Sequence, residues 1–400
     1  MTENTSTDRR SVTAAMGLIA IGFAGSTMIT PLYALYQARF GFSAVGLTII
    51  YAAYVLGNLG ALLFLGRLSD RIGRRPIAFA ATALCAIAAI LFVGAQGPAW
   101  LFAGRVVSGL AVGLASGTGT AWLVDLHAAD RPRATFLATQ ANMAGIGLGP
   151  LIAGLIAGYA RAPLLLPFLL YWAVIALVAL LVWRSSETVA PAPIDAALFR
   201  PSFALPEGVR GAFIAPTATS FATFALVGFY AALLPTVLRQ SMHLSDPAID
   251  GAVLAELFAV AAAAMAITRR IASRTAMLIA LGMIVPALAL LVAAQAQQDL
   301  TMLILGTAAG GVSLALGYRG SLEIVNAIAP ADQRAGLVSL YLVICFIGNS
   351  IPVIGVAIVS RSAGPVVASE TFAGVMVAIA LIAFVTGLRF APRRQPCPAA

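Results

Sequence analysis

The stretch Gly66-Arg67-Leu68-Ser69-Asp70-Arg71-Ile72-Gly73-Arg74-Arg75-Pro76 puts four arginines, an aspartate and two glycines into eleven residues. Apolar runs flank it, at about 43–66 and 77–95. Each is long enough to cross a bilayer, since a spanning helix needs about 20 mostly apolar residues. A charged turn between two such runs belongs at a membrane surface. Its glycines permit tight backbone turns, and its arginines anchor it at the anionic face of the bilayer. Asp70 is placed to meet a helix N-terminus or a cation.

Outward from this loop the pattern repeats. Spans are expected at about 12–36, 43–66, 77–95, 100–124, 135–159 and 163–184, and again at 211–237, 248–268, 275–295, 300–324, 335–360 and 365–388. Between the two sets, Arg184 to Arg210 is polar and carries Pro191, Pro193, Pro201 and Pro206, so it reads as a linker. The expectation is an all-α membrane protein of twelve transmembrane helices in two pseudo-symmetric six-helix bundles. These are residues 1–184 and 211–400, the latter with a short tail, joined by a linker at 185–210. Composition agrees: 61% of the 400 residues are hydrophobic and only 10% charged, with mean hydropathy +0.97. A water-soluble domain carries roughly 25% charged residues.

The halves echo each other at an offset near 200. Arg71-Ile72 matches Arg270-Ile271 after the second span of each half, Arg133-Ala134 matches Arg334-Ala335 before the fifth, and Gly117 matches Gly317 in the fourth. Duplicated bundles of this kind place substrate between the repeats near the bilayer midplane.

Charge placement sets topology. The formal charge of +9 could suggest nucleic acid, yet all 24 basic residues are arginines lying mostly between apolar runs. Eighteen precede the first span, follow the last, or lie in every second loop; the other loops hold Arg39, Arg161, Arg239 and Arg361. That bias puts both termini in the cytoplasm and argues against a nucleic-acid partner. Arg9 and Arg10 precede an apolar run too long for a signal core, so it reads as an uncleaved first helix. Cys85, Cys345 and Cys397 form no disulfide or metal framework.

The opening stretch resembles, at Gly66, Asp70, Arg71, Gly73, Arg74 and Arg75, the loop signature Gly-x-x-x-Asp-Arg-x-Gly-Arg-Arg of the major facilitator superfamily. The resemblance implies a conformational latch, with Asp70 facing the start of the eleventh helix and Arg71 paired with Asp125. In the second half, the matching loop keeps Arg269, Arg270 and Arg274 but lacks the aspartate and glycines; Glu323 is the expected acid. Arg319 and Glu323, four apart, can also pair with each other.

Span 5 carries Gly145, Gly149 and Ala153 at four-residue spacing, a smooth stripe for close packing, with Pro150 and Gly154. Pro150 withholds the donor that would bind the Ile146 carbonyl, which favours a bend. This run resembles the Gly-x-x-x-Gly-Pro-x-x-Gly-Gly motif of the drug:proton antiporters, with Ala153 in place of one glycine. The resemblance implies contact with the eighth helix, and export.

Arg105 heads the series Gly109, Gly113, Gly117 in span 4. A charge at that depth costs about 2.5–3.5 kcal/mol, so it faces a partner or cavity, unless it snorkels outward near Trp100. It resembles the family's helix-4 arginine, which is linked to proton coupling. Glu256 is the acid deepest in any span, with Asp246 and Asp250 at the mouth of the same helix. A carboxyl there can exchange a proton as the site alternates between two waters, neutralise a cationic substrate, or pair with Arg105. Span 1 has no acid, unlike many multidrug antiporters. Further cavity candidates are Pro31, Tyr33, Tyr54, Asn58, Gln140, Phe224 and Tyr230.

The expected function is proton-coupled export of a small amphipathic or cationic compound across an inner membrane by alternating access. It would proceed as a monomer, with no cofactor beyond the proton. Uptake of a sugar, organic acid or other metabolite is the alternative. A membrane-embedded enzyme would need a converging nucleophile, base or metal set, and His127 and His243 fall in loops on opposite sides.

Overall fold

A computed structural model describes residues 2–390 apart from 194, 200, 202 and 331; Cys397 and the tail beyond 390 lie outside the described residues. Among the described residues there is no strand, and twelve helices are long and apolar enough to cross a bilayer. They are α1 (Arg9–Phe40), α2 (Ala44–Leu65), α3 (Arg74–Val93), α4 (Pro98–Leu126), α5 (Arg131–Tyr159), α6 (Leu166–Trp183), α7 (Glu207–Ser241), α8 (Pro247–Ile267), α9 (Ser273–Gln297), α10 (Leu300–Ile328), α11 (Arg334–Ala363) and α12 (Pro365–Arg389). In hydrocarbon every backbone polar group must be satisfied within its own segment, which is why the apolar runs fold as helices.

Helix ends follow local chemistry. Ser43 caps α2 by accepting from Gly46 N at 3.1 Å, and Asp299 caps α10 by accepting from Thr301 N at 2.7 Å. Three boundaries differ from the sequence expectation. α1 is not one regular helix: α-helix runs to Thr27, a tight turn covers Thr30–Leu32, and α-helix resumes over Tyr33–Phe40. Pro31 sits in that turn, where its missing N–H breaks the ladder. α3 starts at Arg74, not near 77, because Pro76 in a first turn leaves no intrahelical bond unmade. The stretch read as linker is structured in part, with turns at Ala196–Phe199 and Glu207–Val209, the second leading into Arg210 and α7.

The chain divides into two compact units. One comprises Met1–Pro201 with Ala231–Ala259, the other Ser202–Tyr230 with Val260–Ala400. The chain passes from one unit to the other at Pro201–Ser202, inside the proline-bearing linker, and again within α7 and within α8.

In the first unit small residues let backbones meet. A Cβ on Gly109 would lie 2.0 Å from Tyr54 O, and one on Gly57 2.0 Å from Val106 O, so α4 and α2 touch main chain to main chain. Gly104 makes room for Phe92 of α3 and Gly119 for Ile19 of α1. The second unit packs α9 on α10, where Ser313 donates to Ala280 O at 2.8 Å. Its core holds Phe213, Val325, Leu337, Tyr341 and Cys345.

Candidate functional site

The loop after α2 forms one charged cluster. Gly73 adopts φ +116°, a left-handed conformation that suits glycine, and a Cβ there would come 2.7 Å from Glu187 Oε2. The turn it permits delivers Arg74 inward, 6% exposed. Arg74 donates to Asp70 Oδ1 at 2.5 Å, Ser69 Oγ at 2.7 Å and Asp125 Oδ2 at 2.8 Å. The pairing implied for Arg71 is thus made by Arg74. Arg71 is exposed, and its carbonyl accepts from Ala192 N at 2.8 Å. The reason is the break at Gly73: the helical turn Ser69–Ile72 ends there and α3 begins anew at Arg74, so the glycine turn brings Arg74 inward while Arg71 stays on the exposed side.

Glu187 completes the cluster. Its carboxylate accepts from Arg74 N at 2.8 Å and Arg75 N at 2.9 Å, satisfying donors at the start of α3. Thr188 Oγ1 adds a bond to Asp125 Oδ2 at 3.0 Å. Arg75 reaches the end of α6, donating to Val182 O at 3.2 Å and Trp183 O at 2.6 Å. Gly66 is exposed, next to the Leu62 carbonyl. Sequence spacing carried no signal for Glu187, which lies more than a hundred residues from the arginines it serves.

The second-half residues behave differently. Arg274 donates to Gly387 O at 3.2 Å and Leu388 O at 2.8 Å at the end of α12, not to Glu323. Arg270 is exposed. Glu323 accepts from Ser273 Oγ at 2.5 Å and lies 4.0 Å from Arg319, whose guanidinium bonds chiefly to Thr268 O at 2.7 Å and Ile271 O at 3.1 Å.

Arg105 is buried, 2% exposed, which rules out snorkelling. It donates to Ser26 O, Ser26 Oγ (3.3 Å) and Tyr51 O (3.3 Å), and its guanidinium lies 4.6 Å from the Tyr54 ring centroid and 5.3 Å from that of Tyr51. Cation–π contacts offset the lost hydration of the charge. Among the described residues no carboxylate lies within 4.0 Å of it, so the pairing with Glu256 that the sequence left open is not made. Its Nε, the Tyr33 hydroxyl and Asn58 Oδ1 are buried without a hydrogen-bond partner. Tyr33 and Tyr54 lie around Arg105, Asn58 packs on Gly109 and Gly113 of the same α4, and Pro31 shapes the turn just before Tyr33. Ser26 and Tyr51 are partners that the sequence did not single out, since neither belongs to a motif.

α5 uses two faces. A Cβ on Gly145 would lie 2.4 Å from Ala20 O, and one on Gly149 2.6 Å from Ala24 O, so the four-residue stripe meets α1. α8 meets the other face: a Cβ on Gly154 would lie 2.4 Å from Pro247 O, and one on Gly251 2.3 Å from Pro150 O. Ala153 is buried. The Ile146 carbonyl freed by Pro150 accepts from Thr27 Oγ1 of α1 at 3.2 Å.

Glu256 is half-buried on α8 and Gln140 half-buried on α5. In the second unit Tyr230 is buried with its hydroxyl 3.1 Å from Thr307 Oγ1, and Phe224 packs on Tyr318 and Phe346 with centroids at 5.6 and 6.2 Å. An apolar groove of about 200 Å³ lies between α1, α5 and α6, lined by Ala24, Gly145 and the exposed Leu148 and Leu170 among others. Among the described residues no three His, Cys, Asp or Glu side chains are grouped to hold a metal.

A family model described as Major Facilitator Superfamily matches residues 15–296. A 73-residue stretch is 34% identical to the multidrug resistance protein MdtL of Klebsiella pneumoniae subsp. pneumoniae, covering 18% of this chain and 19% of that protein. Another of 71 residues is 38% identical to MdtL of Escherichia coli O45:K1, covering 18% of each. The match thus spans about a fifth of the length of these curated relatives. Among solved structures, a bacterial homologue of the human lysosomal transporter Spinster, in an inward-facing and unoccupied conformation, aligns with a TM-score of 0.72 and 16% identity, covering 98% of this chain and 99% of that one. At that identity the likeness is one of fold.

Proposed function

Because the chain belongs to the Major Facilitator Superfamily, and so is a multi-pass membrane transporter, we propose that it exports small amphipathic or cationic compounds by alternating access, driven by protons. The observation that carries this reading is the α5 joint. Its glycines touch α1 on one face and Gly251 of α8 on the other, backbone against backbone. Contacts between small residues contain no interlocked side chains, so helices can shift along them at low cost. Pro150 removes one rung of the helix at that level, and Thr27 keeps the freed carbonyl satisfied. The partial likeness to a protein named for multidrug resistance supports export over uptake.

On this reading both termini lie in the cytoplasm of a cell with an inner membrane, following the arginine bias. The two bundles exchange inner and outer openings around a small molecule bound near the midplane. The Arg74 cluster, with Asp70, Asp125 and Glu187, holds one cytoplasmic arrangement and breaks in the other. Arg105, held between tyrosine faces, supplies a fixed positive field, and Glu256 lies along the proton path as the half-buried acid of α8.

The test is flux in proteoliposomes under an imposed pH gradient, with a panel of lipophilic cations, neutral drugs and metabolites. Parent protein is compared with Glu256→Gln and Arg105→Ala. Gradient-driven movement of a panel compound, outward relative to the cytoplasmic face and abolished by Arg105→Ala, supports proton-coupled export. Transport that ignores the gradient sinks the coupling, and accumulation in the opposite sense sinks export.

A further inference from the structure

The groove between α1, α5 and α6 holds about 200 Å³ and lies wholly within the first unit. Its lining combines buried Ile21, Gly145 and Gly149 with exposed Leu148, Leu170 and Val174. Long side chains on α5 and α6 thus border a strip of small residues, and the difference in side-chain length makes the groove. The lining contains no charged residue. Tyr171 brings a hydroxyl to it, but that hydroxyl donates to Ile21 O at 2.7 Å, so the surface on offer is apolar.

Dimensions and surroundings select the occupant. The lining runs over 20–28 of α1, 144–153 of α5 and 167–174 of α6, about 12 Å of helix at a rise of 1.5 Å per residue. That is close to half of a hydrocarbon core about 30 Å thick, the depth that one leaflet supplies. An apolar cavity of about 150 Å³ holds one benzene, so the groove takes roughly eight carbons. α6 also exposes Leu166, Leu169, Leu177 and Leu180, an apolar surface that in a bilayer lies against acyl chains. A drug-sized ligand is ordinarily fixed by a few convergent polar groups, and this lining has none to offer. A protein partner needs an interface of roughly 1,000 Å², far more than so short a groove provides. The groove reaches Pro167 in the first turn of α6, and exposed Arg161 lies in the connection just before it. That connection turns tightly, with Leu165 N and Leu166 N both donating to Ala162 O, which keeps Arg161 near the end of α6. Among the described residues no carboxylate pairs with Arg161 within 4.0 Å. An unpaired guanidinium at the end of an apolar groove complements a phosphate joined to an acyl chain.

We propose that this groove is a phospholipid site, holding one acyl chain between α5 and α6 with the lipid phosphate on Arg161. The lipid comes from the leaflet on the side of the α5–α6 connection. It is a resident and not cargo: Leu148 and Leu170 pack its chain, and Arg161 fixes its depth. The strip beneath the chain is where Gly145 and Gly149 meet Ala20 and Ala24, so the lipid covers the contact between α1 and α5. The site needs neither a proton nor a direction of transport, and it stands or falls separately from the export reading.

The test is native mass spectrometry of the full chain in mild detergent, with phosphatidylglycerol and phosphatidylethanolamine added. The parent is expected to retain one phospholipid through washes that strip loosely held lipid. Ala144→Phe fills the groove from an exposed position on α5 and is expected to lower retention roughly tenfold or more, as the chain loses its buried apolar surface. Arg161→Gln is expected to weaken retention roughly tenfold, because the charge-assisted bond to phosphate is gone. Leu177→Phe, on α6 but outside the groove, retains lipid as the parent does. Size-exclusion profiles matching the parent establish that each variant is folded; Val174→Phe fills the groove from α6 should Ala144→Phe fail to fold. Retention unchanged by groove filling overturns the proposal, as does retention that ignores Arg161→Gln. Displacement of the lipid by tetraphenylphosphonium would make the groove a drug site, and displacement by inorganic phosphate would give Arg161 to a soluble anion; either result overturns it as well.

Discussion

The loops after α2 and after α8 descend from the same pattern, offset by 199 residues, and solve the same helix-end problem with different charges. Arg75 and Arg274 do the same thing. Each donates twice to the last carbonyls of a neighbouring helix, Val182 and Trp183 of α6 in one case, Gly387 and Leu388 of α12 in the other. These carbonyls have no intrahelical partner, and the negative end of a helix favours a cation. One position earlier the halves part. Arg74 is buried between two carboxylates, whereas Ser273 offers a hydroxyl to Glu323. Glu187 caps the first loop, while in the second Arg319 of α10 reaches into the loop carbonyls. Helix-end capping is thus common to both halves, and the buried charge cluster belongs to one.

The sharpest way to break this comparison is Arg74→Ala. Removing one member of a buried pair leaves unpaired charge and costs about 3–5 kcal/mol when both partners are buried. Here the Asp70 side chain is 53% exposed and that of Asp125 29%, so a loss of about 2–3 kcal/mol is expected. It is read from denaturant titration in mixed micelles. A comparable loss in Ser273→Ala would erase the distinction between the loops. Next come Arg75→Ala and Arg274→Ala, each expected to cost about 1–2 kcal/mol for two charge-assisted bonds. Their values should agree within about 0.5 kcal/mol; a gap twice that size would mean the two caps are not equivalent. Glu187→Ala should cost about 1 kcal/mol, as lost helix caps do. Its effect should shrink in the Arg74→Ala background, since both belong to one network. Strict additivity in that double variant would show the cap and the buried arginine to be independent. Ser273→Ala is the smallest, under about 1 kcal/mol, because Glu323 is half exposed and water replaces the hydroxyl.

Much of the site's inventory was readable in the sequence, and its wiring was not. Asp70, Arg74 and Asp125 were all named, but the resemblance assigned the bond to Arg71. The glycines of α5 were read as one stripe toward α8; the structure gives Gly145 and Gly149 to α1, and Pro150 and Gly154 to α8. Among the acids of α8, Glu256 drew attention for its depth in the span, yet Asp250 is the more buried. Depth along a helix is a count of residues. Burial around it depends on which neighbours stand at that azimuth, and α5 and α7 come from distant sequence.

The twelve spans and the surface loops followed from the sequence alone. Crossing a bilayer demands about 20 consecutive apolar residues whose backbone bonds close within the segment, and that is a one-dimensional property. The break in α1 was latent in Pro31 for the same local reason. Tertiary structure alone decided which arginine meets which acid, that Thr27 satisfies the carbonyl Pro150 leaves free, and that Arg239 bonds to Gln37. Those contacts join residues on different helices. They are fixed by rotation and close approach, and small residues permit that approach without specifying who is met.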